Sequence, residues 1–265
     1  MTTPESRSLA ASIRRRQAEG VMPVISEIKV FSPKEGDLLR GRAPEDLAAV
    51  MATTPVAGVS VVTDLITFGG DTDIIRTIRP LVAVPILRKD FTMSARDLDE
   101  TVACGADAVL LTVCLLHDEP LVLLHAGAHE RGLETLVEVH DDKDIARVVD
   151  LGLAPDVLGV NNRDIQIGET DDGDVSLGAR LPMLADAIVS SGADVVGAQE
   201  VTRNVSFDAD AEAPQKHGLV AERLASAVAD RTGEAWSWCW SLSNPHVPGT
   251  PDLFTGGGNP LDQQA

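Results

Sequence analysis

Short apolar runs with a charged residue near the end recur between residues 24 and 164 of this chain of 265 residues. The segments 24–29, 84–91, 136–140 and 157–164 each combine a few apolar residues with a lysine, an arginine or a carboxylate. A strand that ends in a charged residue, repeated every few dozen residues, is typical of an α/β barrel with its active site at the C-terminal ends of the strands. We therefore interpret these charges as candidates for chemistry.

Strands and helices are predicted to alternate along this part of the chain. Helix-compatible stretches occupy 43–51, 73–78, 94–104, 119–131 and 142–150, between strands that begin near residues 24, 58, 84, 108, 135 and 157. Ser94 and Asp97 are close to a capping box, and Gly105 follows the same helix at the usual C-terminal position. The alternation predicts a parallel sheet with right-handed crossovers, and hence a (β/α)₈ TIM barrel.

The pattern weakens after Asn161. A seventh strand is predicted at 194–198, and no convincing eighth strand is found, so the barrel is expected to be incomplete at strands 7 and 8. From residue 233 onward three tryptophans alternate, and proline, glycine and asparagine become frequent. We expect a catalytic barrel domain over 1–232 and an irregular tail over 233–265.

The formal net charge is −19, from 41 acidic and 22 basic residues. Such a surface repels nucleic acid and anionic membranes, so neither is expected as a partner. The excess acid fits a well-solvated mesophilic protein, but the scarcity of lysine favours adaptation to high salt. In a halophilic protein a retained lysine points to function, which draws attention to Lys29 and Lys89.

The apolar stretches, the N-terminal residues and the cysteines all favour a cytoplasmic protein. The longest apolar stretch, 106–116, falls short of the ~18 residues that a membrane span needs. No apolar segment follows the basic residues 14–16, so no secretory signal is expected. Three cysteines without ligand-like spacing indicate no metal site, and their odd number favours a reducing cytoplasm. Cys104 and Cys114 are interpreted as small core residues.

Two lysines and one carboxylate are the first candidates for chemistry. In a strand, Glu27 and Lys29 point to the same face because the side-chain period is two. The alternative is an internal salt bridge that fills the bottom of the barrel. Lys89 ends an apolar strand, where a partly buried lysine is readily tuned as an acid or base. The alternative is an exposed lysine on the rim.

A glutamate and two aromatic residues extend this set. Glu138 lies mid-strand between outward-facing valines, so an inward carboxyl must be paired or protonated, as a general acid or base would be. Its alternative is a purely structural partner for a lysine. Phe68 and Phe91 could lie against a planar ring, or they could simply pack loops. His140 follows at the next inward position, and no task is assigned to it.

An amide and a guanidinium come two residues apart at the end of the sixth strand. Asn161 and Arg163 together suit a carboxylate or phosphate ligand. The alternative is that they anchor a loop through hydrogen bonds.

Six motifs in this order and spacing resemble the indole-3-glycerol phosphate synthase family. Each motif alone is weak, but the six together are specific, and the match is clear over 24–177. Residues 32–42 and 171–177 look like the archaeal, and by composition the haloarchaeal, branch. The motifs are segments 24–33, 60–70, 85–91, 105–111, 136–140 and 159–164.

The resemblance implies a carbon–carbon lyase of tryptophan biosynthesis, a carboxy-lyase on the TIM-barrel fold. The enzyme closes the indole ring of 1-(2-carboxyphenylamino)-1-deoxyribulose 5-phosphate, with loss of CO₂ and water. By motif, Lys89 would be the general acid and Lys29 would bind the substrate carboxylate. Glu138 would assist dehydration, and Glu27 would position the lysines. No metal and no cofactor are implied, because lysines and a carboxylate can move every proton involved.

The same resemblance supplies the substrate-binding residues. Asn161 and Arg163 would orient the substrate, Phe68 and Phe91 would lie against its aromatic ring, and Ser32 would lie near the phosphate. The expected partner is this small anionic phosphate, bound by a monomer or weak homo-oligomer.

Two alternatives remain because the chain departs from the family pattern after residue 177. The family's seventh strand normally ends in Ser-Glu-Ser-Gly, and neither 189–192 nor 196–200 matches it cleanly. The glycine-containing phosphate loop after strand eight is not found. One alternative is a non-catalytic paralogue that has lost its phosphate site. The other is a related phosphate-barrel isomerase, for which the expected cysteine and aspartate pair is not found.

Overall fold

Eight parallel strands close into a barrel in a computed structural model that describes residues 7–21 and 23–161, together with the strands 196–199 and 240–243. The barrel strands are β1 (Val24–Ile28), β4 (Gly58–Val62), β5 (Ile86–Lys89), β6 (Ala108–Thr112), β7 (Glu134–Val139), β8 (Val157–Asn161), β9 (Val196–Gln199) and β10 (Trp240–Ser243). Their order around the barrel is β1-β10-β9-β8-β7-β6-β5-β4. A small antiparallel hairpin, β2 (Phe31–Ser32) and β3 (Gly36–Asp37), follows β1. The predicted (β/α)₈ architecture is confirmed.

Helices lie between the strands from β1 to β8 at the predicted places. The described helices are α1 (Leu9–Ala18), α2 (Pro44–Thr53), α3 (Leu65–Phe68), α4 (Thr72–Ile78), α5 (Ala95–Cys104), α6 (Asp118–Glu130) and α7 (Asp142–Asp150), with a 3₁₀ turn at Val113–Leu115. Among these described segments, no helix is both long and apolar enough to cross a membrane.

Local sequence signals set the ends of α5. The backbone N–H of Ser94 donates to Asp97 Oδ2 at 2.8 Å, which completes the predicted capping box. Gly105 ends the helix with φ of 90°, a left-handed conformation that glycine adopts without a Cβ penalty. The first signal sets where α5 begins, and the second sets where the chain leaves α5 and enters β6.

Apolar residues pack on both faces of the barrel, and among the described residues a layer of polar side chains lies toward the C-terminal ends of the strands. Alternate strand residues such as Val61 and Val137 pack outward against the helices. Inward residues such as Ile25 and Leu87 join Leu9 of α1 in a separate cluster toward the N-terminal ends of the strands. The next inward positions along each strand carry the buried polar residues Glu27, Glu138 and Asn161 and the half-buried Lys89. The site therefore lies where the fold class predicts it.

Two strands beyond residue 161 complete the ring. The predicted seventh strand corresponds to β9, which pairs with β8 over four residues. The eighth strand is β10, which pairs with β1 over four residues and with β9 through Trp240 and Ala198. This corrects two expectations: an eighth strand exists, and residues 240–243 of the expected irregular tail are part of the barrel. The other residues of 233–265 lie outside the described part of the chain.

Candidate active site

One buried carboxylate joins the two lysines. Glu27 is 1% exposed, and its Oε2 accepts a hydrogen bond from Lys89 Nζ at 2.9 Å. Lys29 Nζ lies 3.6 Å from Glu27 Oε1. The side chains of Lys29 and Lys89 keep 16% and 24% of their surface exposed, so both ammonium groups can reach a ligand. The cluster lies at the C-terminal end of β1, not at the bottom of the barrel as an internal plug would.

Arg88, the residue before Lys89, anchors the end of β5 on the face that points away from the barrel interior. Arg88 is 5% exposed and points outward, where it donates to Thr63 Oγ1 at 3.0 Å and to Thr101 Oγ1 at 3.2 Å. It also pairs with Glu100 at 2.9 Å. Because successive strand residues point to opposite faces, this network directs Lys89 into the barrel. Sequence reasoning did not single out Arg88, although the same alternation could have placed it.

Asp90 ties the ends of two neighbouring strands together. Its Oδ2 accepts from Thr63 Oγ1 at 2.7 Å and from Arg88 at 2.8 Å, and its Oδ1 accepts from the backbone N–H of Phe91 at 2.8 Å. Phe91 is thereby presented at the rim with 38% of its surface exposed. This exposure leaves the ring open to contact by a ligand.

Phe68 lies beside Lys29 at the end of α3. Asp64 caps the start of this helix, because its carboxylate accepts from the Thr67 N–H at 2.7 Å, and Gly69 caps its end with φ of 62°. A Cβ on Gly70 would lie 2.3 Å from Val62 O, so the chain can pass this close to the end of β4 only through a glycine. This turn leaves Phe68 half-buried, with Lys29 Nζ 5.8 Å from its ring centroid.

Glu138 lies against a histidine, His140, two residues further along the chain. It is 2% exposed, and its Oε1 lies 3.5 Å from His140 Nε2. Its other oxygen, Oε2, has no hydrogen-bond partner among the residues that the structure describes. Thr112 lies opposite Glu138 in the β6–β7 register. A buried carboxyl oxygen that is left without a partner is costly, which makes it a candidate to meet a ligand.

The other predicted binding residues lie on separate elements. Asn161 ends β8 and is 7% exposed, in the same polar layer of the barrel. Ser32 lies in the hairpin after β1 and is half-buried. Arg163 lies outside the described residues, so its predicted role stays a prediction.

A cysteine, a histidine and an aspartate meet beside Glu138. Cys114 Sγ lies 3.6 Å from His140 Nδ1, which in turn lies 3.5 Å from Asp144 Oδ2. Burial, with nearby Asp144 and Glu138, raises the pKa of the Cys114 thiol to about 11, so the group is protonated at neutral pH. The expectation that Cys114 packs as a core residue is wrong, because it is half-buried and faces a ring nitrogen. His140 and Asp144 are only four residues apart, but Cys114 comes from the turn after β6, so no local spacing could signal that all three meet.

Lysine ammonium groups and buried carboxyl groups toward the C-terminal ends of parallel strands define a (β/α)₈-barrel enzyme, and these groups are able to transfer protons. The family model that matches residues 1–211 is that of indole-3-glycerol phosphate synthase. The chain belongs to this family.

Relatives that carry the same family name are similar over much of the chain. The indole-3-glycerol phosphate synthase of Pyrococcus furiosus is 40% identical over 169 residues, which cover 64% of this chain and 72% of the relative. That of Thermococcus kodakarensis is 37% identical and covers 74% and 84% of the two chains. The Halobacterium salinarum protein is 43% identical over 62% of each chain.

A solved structure supports the fold alone. The carboxyl transferase domain of Rhizobium etli pyruvate carboxylase superposes with a TM-score of 0.54 at 12% identity, over 96% of this chain. This chain spans 46% of that larger chain.

Proposed function

We propose that this protein closes the indole ring of 1-(2-carboxyphenylamino)-1-deoxyribulose 5-phosphate to give indole-3-glycerol phosphate. The new bond joins the aromatic carbon that carries the carboxylate to the carbonyl carbon of the sugar chain. The carboxylate then leaves as CO₂, and the former carbonyl oxygen leaves as water. Family membership and the converging lysine and carboxyl groups support this assignment.

The ring closure needs a proton donor at the carbonyl oxygen. We assign this role to Lys89, because its ammonium group is partly exposed toward the interior and is held by Glu27 at 2.9 Å. General acids of this kind contribute about 10²- to 10⁴-fold to rate. Glu27 positions Lys89 and Lys29 by binding one with each carboxylate oxygen. Lys29 is partly exposed beside Phe68, and we propose that it attracts the substrate carboxylate and shares the acid role.

The loss of water needs a second proton-transfer group. Glu138 suits this step because it is buried and has one carboxyl oxygen without a described hydrogen-bond partner. It lies two strands around the barrel from Lys89, on β7 rather than β5. The two groups can therefore act on different atoms of one bound molecule.

Binding of the substrate is assigned to residues at the rim and in the polar layer. We propose that Phe68 and Phe91 contact the aromatic ring, since both lie at the strand ends with part of their surface accessible. Asn161 and Arg163 would orient the polar groups, and Ser32 would lie near the phosphate.

The protein is further proposed to be salt-adapted and to work in the cytoplasm as a monomer or weak homo-oligomer. The net charge of −19 supports the first part, and a relative from Halobacterium salinarum is 43% identical.

A direct assay tests the proposed reaction. The purified full chain is incubated with the carboxyphenylamino-deoxyribulose phosphate at low salt and in multimolar KCl, and indole fluorescence is followed. We expect catalytic formation of indole-3-glycerol phosphate, fastest in high salt. A chain that is folded by circular dichroism and forms no product in either buffer would contradict the proposal and favour the non-catalytic paralogue.

A further inference from the structure

We propose that Cys114, His140 and Asp144 form a binding site for a thiophilic divalent cation such as Zn²⁺. One ligand atom from each residue, namely the thiol sulfur, a ring nitrogen and a carboxylate oxygen, lies within 4.8 Å of the other two. Thiolate sulfur, imidazole nitrogen and carboxylate oxygen are the ligand types that Zn²⁺ takes in proteins. None of these three residues has a role in the proposed reaction.

The separations fit tetrahedral coordination. Bond lengths of about 2.3 Å to sulfur and about 2.0–2.2 Å to nitrogen and oxygen place neighbouring tetrahedral ligands about 3.3–3.6 Å apart. The Cys114–His140 and His140–Asp144 contacts, at 3.6 Å and 3.5 Å, already have this spacing. Three protein ligands leave a fourth position for water, as in open zinc sites.

Surrounding contacts orient the Asp144 carboxylate and leave it able to bind an ion. Asp144 Oδ2 accepts from the backbone N–H of His140 at 3.0 Å, which fixes the carboxylate beside the ring. Arg147 Nη1 lies 4.0 Å from the other carboxylate oxygen, Oδ1. A surface pocket lined by Cys114, Leu116 and Arg147, among others, provides a route for the ion. The Cys114 thiol would release its proton to solvent as the metal–sulfur bond forms.

The site would act on Glu138 through His140. A cation on Nδ1 leaves the proton on Nε2, the nitrogen that lies 3.5 Å from Glu138 Oε1. His140 would then donate a hydrogen bond to an oxygen of the carboxyl group that we assign to dehydration. Occupancy is therefore expected to slow turnover, a consequence that rests on the proposed function.

Cobalt binding tests the site without any need for activity. The metal-free full chain is titrated with Co²⁺, and the sulfur-to-cobalt charge-transfer absorption is recorded, with Zn²⁺ competition giving the affinity. We expect one equivalent to bind, with the absorption absent in Cys114→Ser. The affinity should fall more than about tenfold in Asp144→Asn. Cys104→Ser is the matched control, because Cys104 is a buried thiol away from the site that donates to Thr101 O.

Two results would overturn the site: no charge-transfer band in the folded wild type at saturating Co²⁺, or an unchanged band in Cys114→Ser. Turnover under Zn²⁺ titration then tests the coupling to Glu138. We expect inhibition of the wild type and of Cys104→Ser, and none of Cys114→Ser. Metal binding with unchanged wild-type turnover would overturn the coupling alone. A chain with no turnover at all would contradict the proposed function and leave the cobalt result to decide the site.

Discussion

At the scale of single residues, we propose that Glu27 organises the site. It is the one carboxylate among the described residues that contacts both Lys29 and Lys89, and it is 1% exposed. Two ammonium groups so close together would repel each other without a negative charge between them. The negative charge of this carboxylate therefore sets where both lysines lie.

Replacement of Glu27 by glutamine tests this positioning role. The amide keeps the size of the side chain but removes the charge that holds Lys89 at 2.9 Å. We expect kcat to fall about 10²-fold, the cost of a catalytic group displaced by about 1 Å, with a smaller change in KM. Steady-state kinetics below the unfolding temperature measure both. Glu119→Gln, on an exposed glutamate of α6, is the control, and an unchanged kcat in Glu27→Gln would refute the role.

Alternation along single strands was enough to predict this part of the site. The two-residue period put Glu27 and Lys29 on one face, and it put Glu138 inside the barrel. It also put His140 on the same face as Glu138. It could not predict that Cys114 faces His140, because that contact depends on how the end of β7 and the turn after β6 are arranged in space.

At the scale of elements, a carboxylate on β7 anchors the first helix. Glu134 accepts hydrogen bonds from the Ser8 hydroxyl and from the backbone N–H groups of Leu9 and Ala10. The first N–H groups of a helix lack partners within the helix and favour a negative charge. This contact joins α1 to the N-terminal end of the barrel across more than a hundred residues of sequence.

Glu134→Gln should destabilise the fold without changing the chemistry. The glutamine oxygen can accept fewer of these bonds and carries no charge, so we expect the free energy of unfolding to fall by about 1–2 kcal/mol. Urea unfolding measures the loss, and kcat under native conditions should stay unchanged. The control is Glu130→Gln at the exposed end of α6. Equal stability of the two variants would show that Glu134 does not anchor α1.

A histidine in α6 should make the fold sensitive to mild acid. His125 is 8% exposed and packs edge-on against His129, whose ring contacts Asp156 at 2.8 Å. Burial, and then the charge of His129, lowers the pKa of His125 from 6.5. Below pH 6.5 the unfolded chain therefore binds this proton more readily than the folded chain, and stability falls as the pH drops. Above that pH the histidine is neutral in both states and contributes nothing.

Urea unfolding just above and just below pH 6.5 measures this effect. We expect His125→Gln to lose part of the stability difference between the two conditions. His117→Gln, on an exposed histidine, should keep it. A wild type whose stability rises as the pH falls through this window would contradict the assignment.

At the scale of the whole molecule, the net charge of −19 should couple stability to salt. Self-repulsion of this charge is screened once the Debye length falls to about 3 Å, near 1 M salt. We expect the thermal midpoint to rise up to this concentration and, for a salt-adapted protein, to continue rising in multimolar KCl. Scanning calorimetry across this range gives the answer. A midpoint that is already at its maximum at low salt would contradict the halophilic interpretation.

The sequence predicted the architecture better than it predicted barrel closure. Seven strands and five helices could be placed, most of them from their own periodicity and caps, as with Ser94 and Gly105 around α5. β10 escaped prediction because Trp240–Ser243 is four residues long and lies in a segment of tail-like composition. Its pairing with β1 joins the first and the last strand of the chain, and a contact between segments so far apart in sequence leaves no local signal.

The most direct test of the whole account is the rate of ring closure in Lys89→Ala. We expect kcat to fall about 10²- to 10⁴-fold while the unfolding midpoint changes little, because the general acid is removed and the barrel remains. Lys143→Ala, on an exposed lysine of α7, should keep wild-type turnover. Wild-type turnover in folded Lys89→Ala would contradict the central claim that this lysine supplies the proton.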